Sequence, residues 1–155
     1  MSIDCTRSFR LSFISIAADQ SVPPISEVLA RIRSSPSWDV ASICPADEQF
    51  PRVDVEWHEG HGFVIHCFED DQSLGDFLVR GERMSSPTIE VNLGGQALER
   101  WPSELFVSEP VAHQALECFL ISGRQDPGLH WVGIDGFPRQ IVWESQDGRR
   151  PRTVN

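Results

Sequence analysis

Apolar and polar residues alternate over many short stretches of this chain and adopt a helical period in only two. FRLSFISIA (Phe9–Ala17) sets Phe9, Leu11 and Phe13 against Arg10 and Ser12, which predicts an N-terminal strand. PPISEVLARIRSS then places Ile25, Val28, Leu29 and Ile32 on one helical face behind Pro23 and Pro24. The following SPSWDVASICPADEQFP is punctuated by Pro36, Pro45 and Pro51 and reads as loop.

RVDVEW puts Val53, Val55 and Trp57 on one side and Arg52, Asp54 and Glu56 on the other. HEGHG turns the chain into FVIHCFE, so the two segments predict an antiparallel hairpin. FLV (Phe77–Val79) is a further short apolar patch, and TIEVNL (Thr88–Leu93) alternates until Gly94–Gly95 ends it. The second helix has Ser108 as cap, Pro110 in the first turn and Gly123 at its end, with a stripe of Ala112, Ala115, Leu116, Phe119 and Leu120. After it, LHWVGI and RQIVWE predict two strands joined by DGFP as a hairpin. The expected fold class is α+β: a mainly antiparallel sheet with two helices packed on it, a single domain over 1–155. A short flexible basic tail is expected at about 148–155, around RRPR (Arg149–Arg152).

At 155 residues and 40% hydrophobic content, with five Trp and nine Phe, the chain can bury a core and is not an acidic disordered tail. It contains no Lys and no Tyr. Cys5, Cys44, Cys67 and Cys118 are widely spaced, with no CxxC pair, and Cys67 and Cys118 sit in apolar patterns where a reduced thiol is expected. No stretch reads as a signal peptide or membrane span, so the expected location is the cytosol.

Charge changes the picture more than composition does. Between Asp39 and Asp76 stand ten carboxylates (Asp39, Asp47, Glu48, Asp54, Glu56, Glu59, Glu69, Asp70, Asp71, Asp76) against the single base Arg52. The remaining thirteen acids and twelve arginines nearly cancel, so this quarter carries most of the net charge of −10. Such a field repels phosphates and anionic lipids and attracts a basic surface. Nucleic acid and membrane are therefore excluded as expected partners, since phosphate contacts supply most nucleic-acid affinity.

Two kinds of chemistry are candidates. Asp54, Glu56 and His58 leave one strand on the same face, with His61 and His66 nearby. Carboxylate and imidazole together suit Zn²⁺, Mn²⁺ or Fe²⁺, which makes a small metal-dependent enzyme built on Asp54, Glu56, His58 and His61 the alternative reading. The rival view of the same residues is the solvated face of a half-exposed hairpin. His66 and Cys67 are adjacent in a strand and point to opposite faces, so they cannot form a nucleophilic pair. No serine has a GxSxG context, and no glycine cluster forms a phosphate loop. Trp57, Trp131 and Trp143 are each core residues or interface anchors.

From Thr88 to Glu144 the chain runs TIEVNLGG, WPSELFVS, PVAHQALECFLISG and LHWVGI. This order resembles the first of the large immunity-protein families found beside bacterial polymorphic toxins and contact-dependent growth-inhibition systems. The matching positions are Ala112, Ala115, Phe119, Gly123, Pro127 and Trp131. The likeness is strong over the C-terminal third and elsewhere extends to length, an N-terminal strand and an acidic middle. Gln125 and Asp126 separate Arg124 from Pro127 where a tighter G-x-x-P turn is common, and DGFPRQIVWE extends the minimal pattern.

The resemblance implies a protein that is not an enzyme and needs no cofactor. It implies binding to the C-terminal domain of a cognate toxin, a nuclease or nucleic-acid deaminase, whose basic active site an acidic surface occludes. The expected partner-binding residues are Glu56, Glu59, Glu69, Asp70, Asp71 and Asp76, with Trp57 or Trp38 as an aromatic anchor.

Overall fold

The computed structural model describes residues 8–93 and 95–144, with the side chain of Ala17 left out. The tail expected at 148–155 lies outside these residues. Among them, ten strands and two α-helices form an α+β domain with two antiparallel sheets. The strands are β1 (Phe9–Phe13), β2 (Ile16–Ser21), β3 (Ala41–Pro45), β4 (Arg52–His58), β5 (Gly62–Phe68), β6 (Asp76–Val79), β7 (Ile89–Asn92), β8 (Ala97–Trp101), β9 (His130–Gly133) and β10 (Gln140–Glu144). The helices are α1 (Ile25–Ser34) and α2 (Glu109–Ser122). The larger sheet has the order β2-β1-β3-β4-β5-β6-β9 and the smaller β10-β8-β7.

The period-2 pattern sorts the large sheet into two faces. Leu11, Phe13, Ile43, Val53, Val55, Phe63 and Ile65 point to one side and pack with Val28, Leu29 and Ile32 of α1 and Ala112, Leu116 and Phe119 of α2. Val64, Phe77 and Val79 point to the other side, where Val91, Trp101, Phe106 and Phe137 cover them. Strand β5 is therefore buried on both faces, which explains its nearly continuous apolar sequence. Both helices lie on one face, as expected, but the other face carries a second sheet rather than solvent.

The β4–β5 hairpin forms in full register from Arg52↔Phe68 to His58↔Gly62. Three other expectations are corrected, and one strand is added. Phe9–Ala17 is not one strand: Ile14 donates its N–H to the Val40 carbonyl and Ser15 turns onto Asp39, so the chain folds back as β1 and β2. The stretch expected to be loop contains β3, which occupies the interior of the sheet between β1 and β4, with Ala41 and Ile43 fully buried. Its prolines stand at strand ends or outside it, where the missing N–H interrupts little pairing. Strand β8 was hidden by the charged Glu99 and Arg100 in QALERW and pairs with both β7 and β10. Finally, LHWVGI and RQIVWE do not pair with each other. β9 joins β6 and β10 joins β8, because Phe137 between them is buried against Phe77 and Trp101 and carries the chain from one sheet to the other.

Helix α2 begins after Ser108 and has Pro110 in its first turn, but the Ser108 side chain makes no capping hydrogen bond. Gly123 ends it in the left-handed conformation (φ 69°) and donates its N–H to the Phe119 carbonyl at 2.7 Å.

Candidate partner-binding site

The strand directions decide where the carboxylates go. The β4–β5 turn, with Glu59, lies at one end of the large sheet, and the turn after β5, with Glu69, Asp70 and Asp71, lies at the other. Seven residues of β5 separate them, about 20 Å at the usual rise per residue. Pro45 pairs with Phe9 beyond the Ile43↔Val53 pair, so Asp47 and Glu48 after β3 emerge at the same end as Glu69. That end carries the exposed acids Asp47, Glu48, Glu69, Asp70 and Asp71.

Helix α2 reinforces this end. Val107, just before it, bonds reciprocally to Phe63 at the start of β5, so α2 runs alongside β5 and its C-terminus arrives beside Glu69. The free carbonyls of a helix C-terminus carry partial negative charge. Between α2 and the strand ends lies a cleft of about 250 Å³ lined by Pro51, Cys67, Phe68, Glu69, Asp76, Phe119, Gly123, Arg124 and Gln125. Gln125 donates its amide to Asp76 Oδ2 at 2.7 Å and thereby fixes one wall. Two neighbouring segments each expose a large apolar side chain: Leu74 (68% exposed), next to the lining residue Ser73, and Ile121 (73%), in the last turn of α2 but on its outer side with Gln114, Glu117 and Cys118. No arginine lies within ion-pair distance of Glu69, Asp70 or Asp71 among the described residues.

The expected binding residues are thus brought together only in part. Glu69, Asp70 and Asp71 share the exposed end, and Asp76 lies in the cleft beside them. Glu59 sits at the opposite end. Glu56 faces the small sheet, while Trp57, its neighbour in the strand, faces the helices. The Trp57 ring packs on Phe63 at 4.7 Å between centroids, with the Arg33 guanidinium 5.2 Å above it. Trp38 is exposed near Ile14 and Ile16 at the end away from Glu69. Leu74, Ile121, Gln125 and the end of α2 were missed, because an isolated exposed apolar residue gives no periodic signal.

The polar face of β4 is not a solvated face. The small sheet roofs it, leaving the side chains of Asp54, Glu56 and His58 only 19%, 23% and 13% exposed. Burial raises the Asp54 carboxyl above its ordinary value, against the opposing effects of the Ser42 hydroxyl and Arg52. Burial likewise lowers the His66 imidazole, partly offset by its hydrogen bond to the Leu74 carbonyl. Arg52 Nε is 3.1 Å from Asp54 Oδ1, an ion-pair distance, although the geometry is too bent for a hydrogen bond. No group of three His, Cys, Asp or Glu side chains among the described residues converges to hold a metal ion.

Cys67 lies on the helix-side face in the core, and burial pushes its thiol far up; Cys44 is raised by the same cause. Cys118 is only half-buried, contrary to its apolar sequence context. Among the described residues no helix is long and apolar enough to cross a membrane. No protein-family model matches the chain, and no curated protein matches its sequence.

Proposed function

We propose that this protein is an immunity-type inhibitor, cytosolic and without catalytic activity of its own, that binds a basic, nucleic-acid-targeting toxin domain and occludes its active site. The observation that carries the reading is the acidic end of the large sheet. Glu69, Asp70 and Asp71 project there beside a cleft that the C-terminal end of α2 faces, with Arg124 as the one cation in its lining, and Leu74 is exposed in the adjoining turn. Carboxylates of this kind steer a basic groove into contact, while apolar side chains at the centre of an interface supply most of the lasting affinity. The resemblance of Thr88–Glu144 to immunity proteins supports the same partner class.

The cognate toxin domain is the product of the gene upstream, and co-purification with it is the first expected result. Glu69→Arg, Asp70→Arg and Asp71→Arg combined should weaken that complex at low salt by roughly 100-fold and flatten its salt dependence. Glu59→Arg, at the far end, should change affinity by less than about threefold. Equal affinities for the triple variant and the unaltered protein would overturn the acidic mechanism.

A further inference from the structure

Six large apolar side chains are exposed among the described residues, and three of them, Ile14, Ile16 and Trp38, belong to one place. The Asp39 carboxylate brings them together. Ile14 donates its N–H to the Val40 carbonyl at 3.2 Å, and Ser15 donates its N–H and its hydroxyl to Asp39. Trp38 directly precedes that carboxylate, so the β1–β2 turn and the segment entering β3 expose one apolar surface. A single exposed apolar residue is ordinary, whereas a contiguous group marks an interaction surface. Beside it, on the helix side of the sheet, lies an open groove of about 390 Å³ between Phe13, Ile16 and the residues Ala30, Ser34 and Ser35 at the end of α1.

Charge narrows the choice of what covers this surface. Five ionisable side chains fall between Phe13 and Val40, and none offers a free charge. Asp19 pairs with Arg10 at 2.7 Å, Glu27 with Arg31 at 2.7 Å and Arg33 with Glu109 at 2.8 Å, while Asp39 is buried beneath its hydrogen bonds. A basic partner finds no open carboxylate here, and an acidic partner finds no open guanidinium. The complementary surface is itself neutral and apolar, and this chain carries one. A net charge of −10 makes two copies repel over most of their surfaces, above all at Glu69–Asp71. The Trp38 surface stands at the end away from those acids, where two copies meet at the least electrostatic cost.

Shape agrees with charge. In a two-fold contact residue i of one copy meets residue j of the other, and j meets i, so a self-complementary surface needs a projection and a recess side by side. Trp38 is the projection and the groove at Phe13 and Ile16 the recess. Its volume is at the low end of the roughly 300–1,000 Å³ typical of drug-sized ligands, room enough for one indole.

We propose that the chain forms a weak two-fold dimer through this face. Trp38 of each copy sits in the groove of the other, and Ile14 packs at its rim. Aromatic and aliphatic anchors of this kind supply most of the affinity of a small interface. The surface is narrow, which sets the dimer among transient complexes, with Kd of about 100 µM. The acidic end stays free in the dimer, so the proposal is independent of the toxin reading. It assigns Trp38 to self-association rather than to a toxin.

The test is sedimentation equilibrium of the full chain from about 10 µM to about 1 mM, in about 50 mM and about 500 mM salt. The mean mass should rise from 17.4 kDa toward twice that value. The rise should be steeper in high salt, because salt screens the repulsion between copies and leaves an apolar contact intact. By NMR, the Trp38 indole N–H signal, identified by its loss in Trp38→Phe, should shift with concentration while that of buried Trp101 does not. Trp38→Ala and Ile16→Asp should each weaken the dimer by roughly 10-fold or more with the urea midpoint unchanged, since both side chains are exposed. A constant mass of 17.4 kDa up to about 1 mM in both salts, or self-association that neither substitution alters, overturns the proposal.

Discussion

At the scale of single residues, the geometry that matters most is where a side chain is missing. Gly75 precedes Asp76, has φ of 78°, and sits so close to β5 that an added Cβ would lie 2.7 Å from the Cys67 carbonyl oxygen and against the His66 ring. Only glycine meets both demands, the left-handed backbone and the close approach. Gly75→Ala should therefore destabilise the fold by about 2 kcal/mol or more, measured as a lowered urea midpoint. The sequence marks this glycine only as a turn residue in QSLGD. The approach of the imidazole and the carbonyl belongs to a neighbouring strand and is invisible along the chain. The same holds for Glu99: it reads as an exposed strand charge, yet it is buried because Arg139, forty positions away, neutralises it.

Elements were legible wherever burial follows a simple period. The β4–β5 hairpin, α1 and α2 could be placed from Val53, Val55 and Trp57, from Val28, Leu29 and Ile32, and from Ala112, Ala115, Leu116 and Phe119. Pairings fixed by distant polar contacts were not. Asp39 is a case in point: it is 3% exposed and accepts the Ser15 N–H at 2.9 Å, the Ser15 hydroxyl at 2.6 Å and the Val40 N–H at 3.0 Å. It looks like one more member of an acidic run, but it pins the β1–β2 turn to the start of β3. Asp39→Ala should leave these donors unpaired and lower stability by about 1–3 kcal/mol. Hydrogen exchange at the Ser15 and Val40 amides should quicken ahead of the β4–β5 amides, which would separate loss of this clamp from general destabilisation.

For the molecule as a whole, the two sheets create both the charge separation and the pH response. The acids of the sheet's two ends lie about 20 Å apart, beyond the Debye length of about 8 Å at physiological salt, so they cannot act as one field. Between the sheets, burial holds the His66 imidazole below its ordinary value of 6.5, so the folded chain binds fewer protons there than the unfolded chain. The stability His66 contributes is complete above about pH 6.5 and is lost as pH falls from there through its depressed value. Asp54 has the opposite sign. Its carboxyl is raised above 3.8, so its contribution is present below that pH and is lost as pH rises through the raised value. Urea unfolding between about pH 7.5 and pH 5 should show the unaltered protein losing more stability than His66→Gln. Parallel curves for the two would contradict a buried neutral His66.

The sequence alone determined the fold class, the two helices with their apolar faces, the central hairpin and the concentration of charge between Asp39 and Asp76. These follow from local periodicity and composition, which each segment carries with it. Tertiary structure decided that the polar side of β4 is roofed by a second sheet and that the C-terminal strands part company around Phe137. It also decided that Glu59 and Glu69 stand at opposite ends. The reason is physical: a strand's period states which residues share a face, but not what covers that face. Strand direction, set by long-range pairing, converts neighbours in a sequence into separate surfaces. The acidic run is one feature of the chain and four of the folded molecule: a buried clamp at Asp39, a half-buried face at Asp54 and Glu56, an exposed end at Glu69–Asp71, and Glu59 exposed at the opposite end.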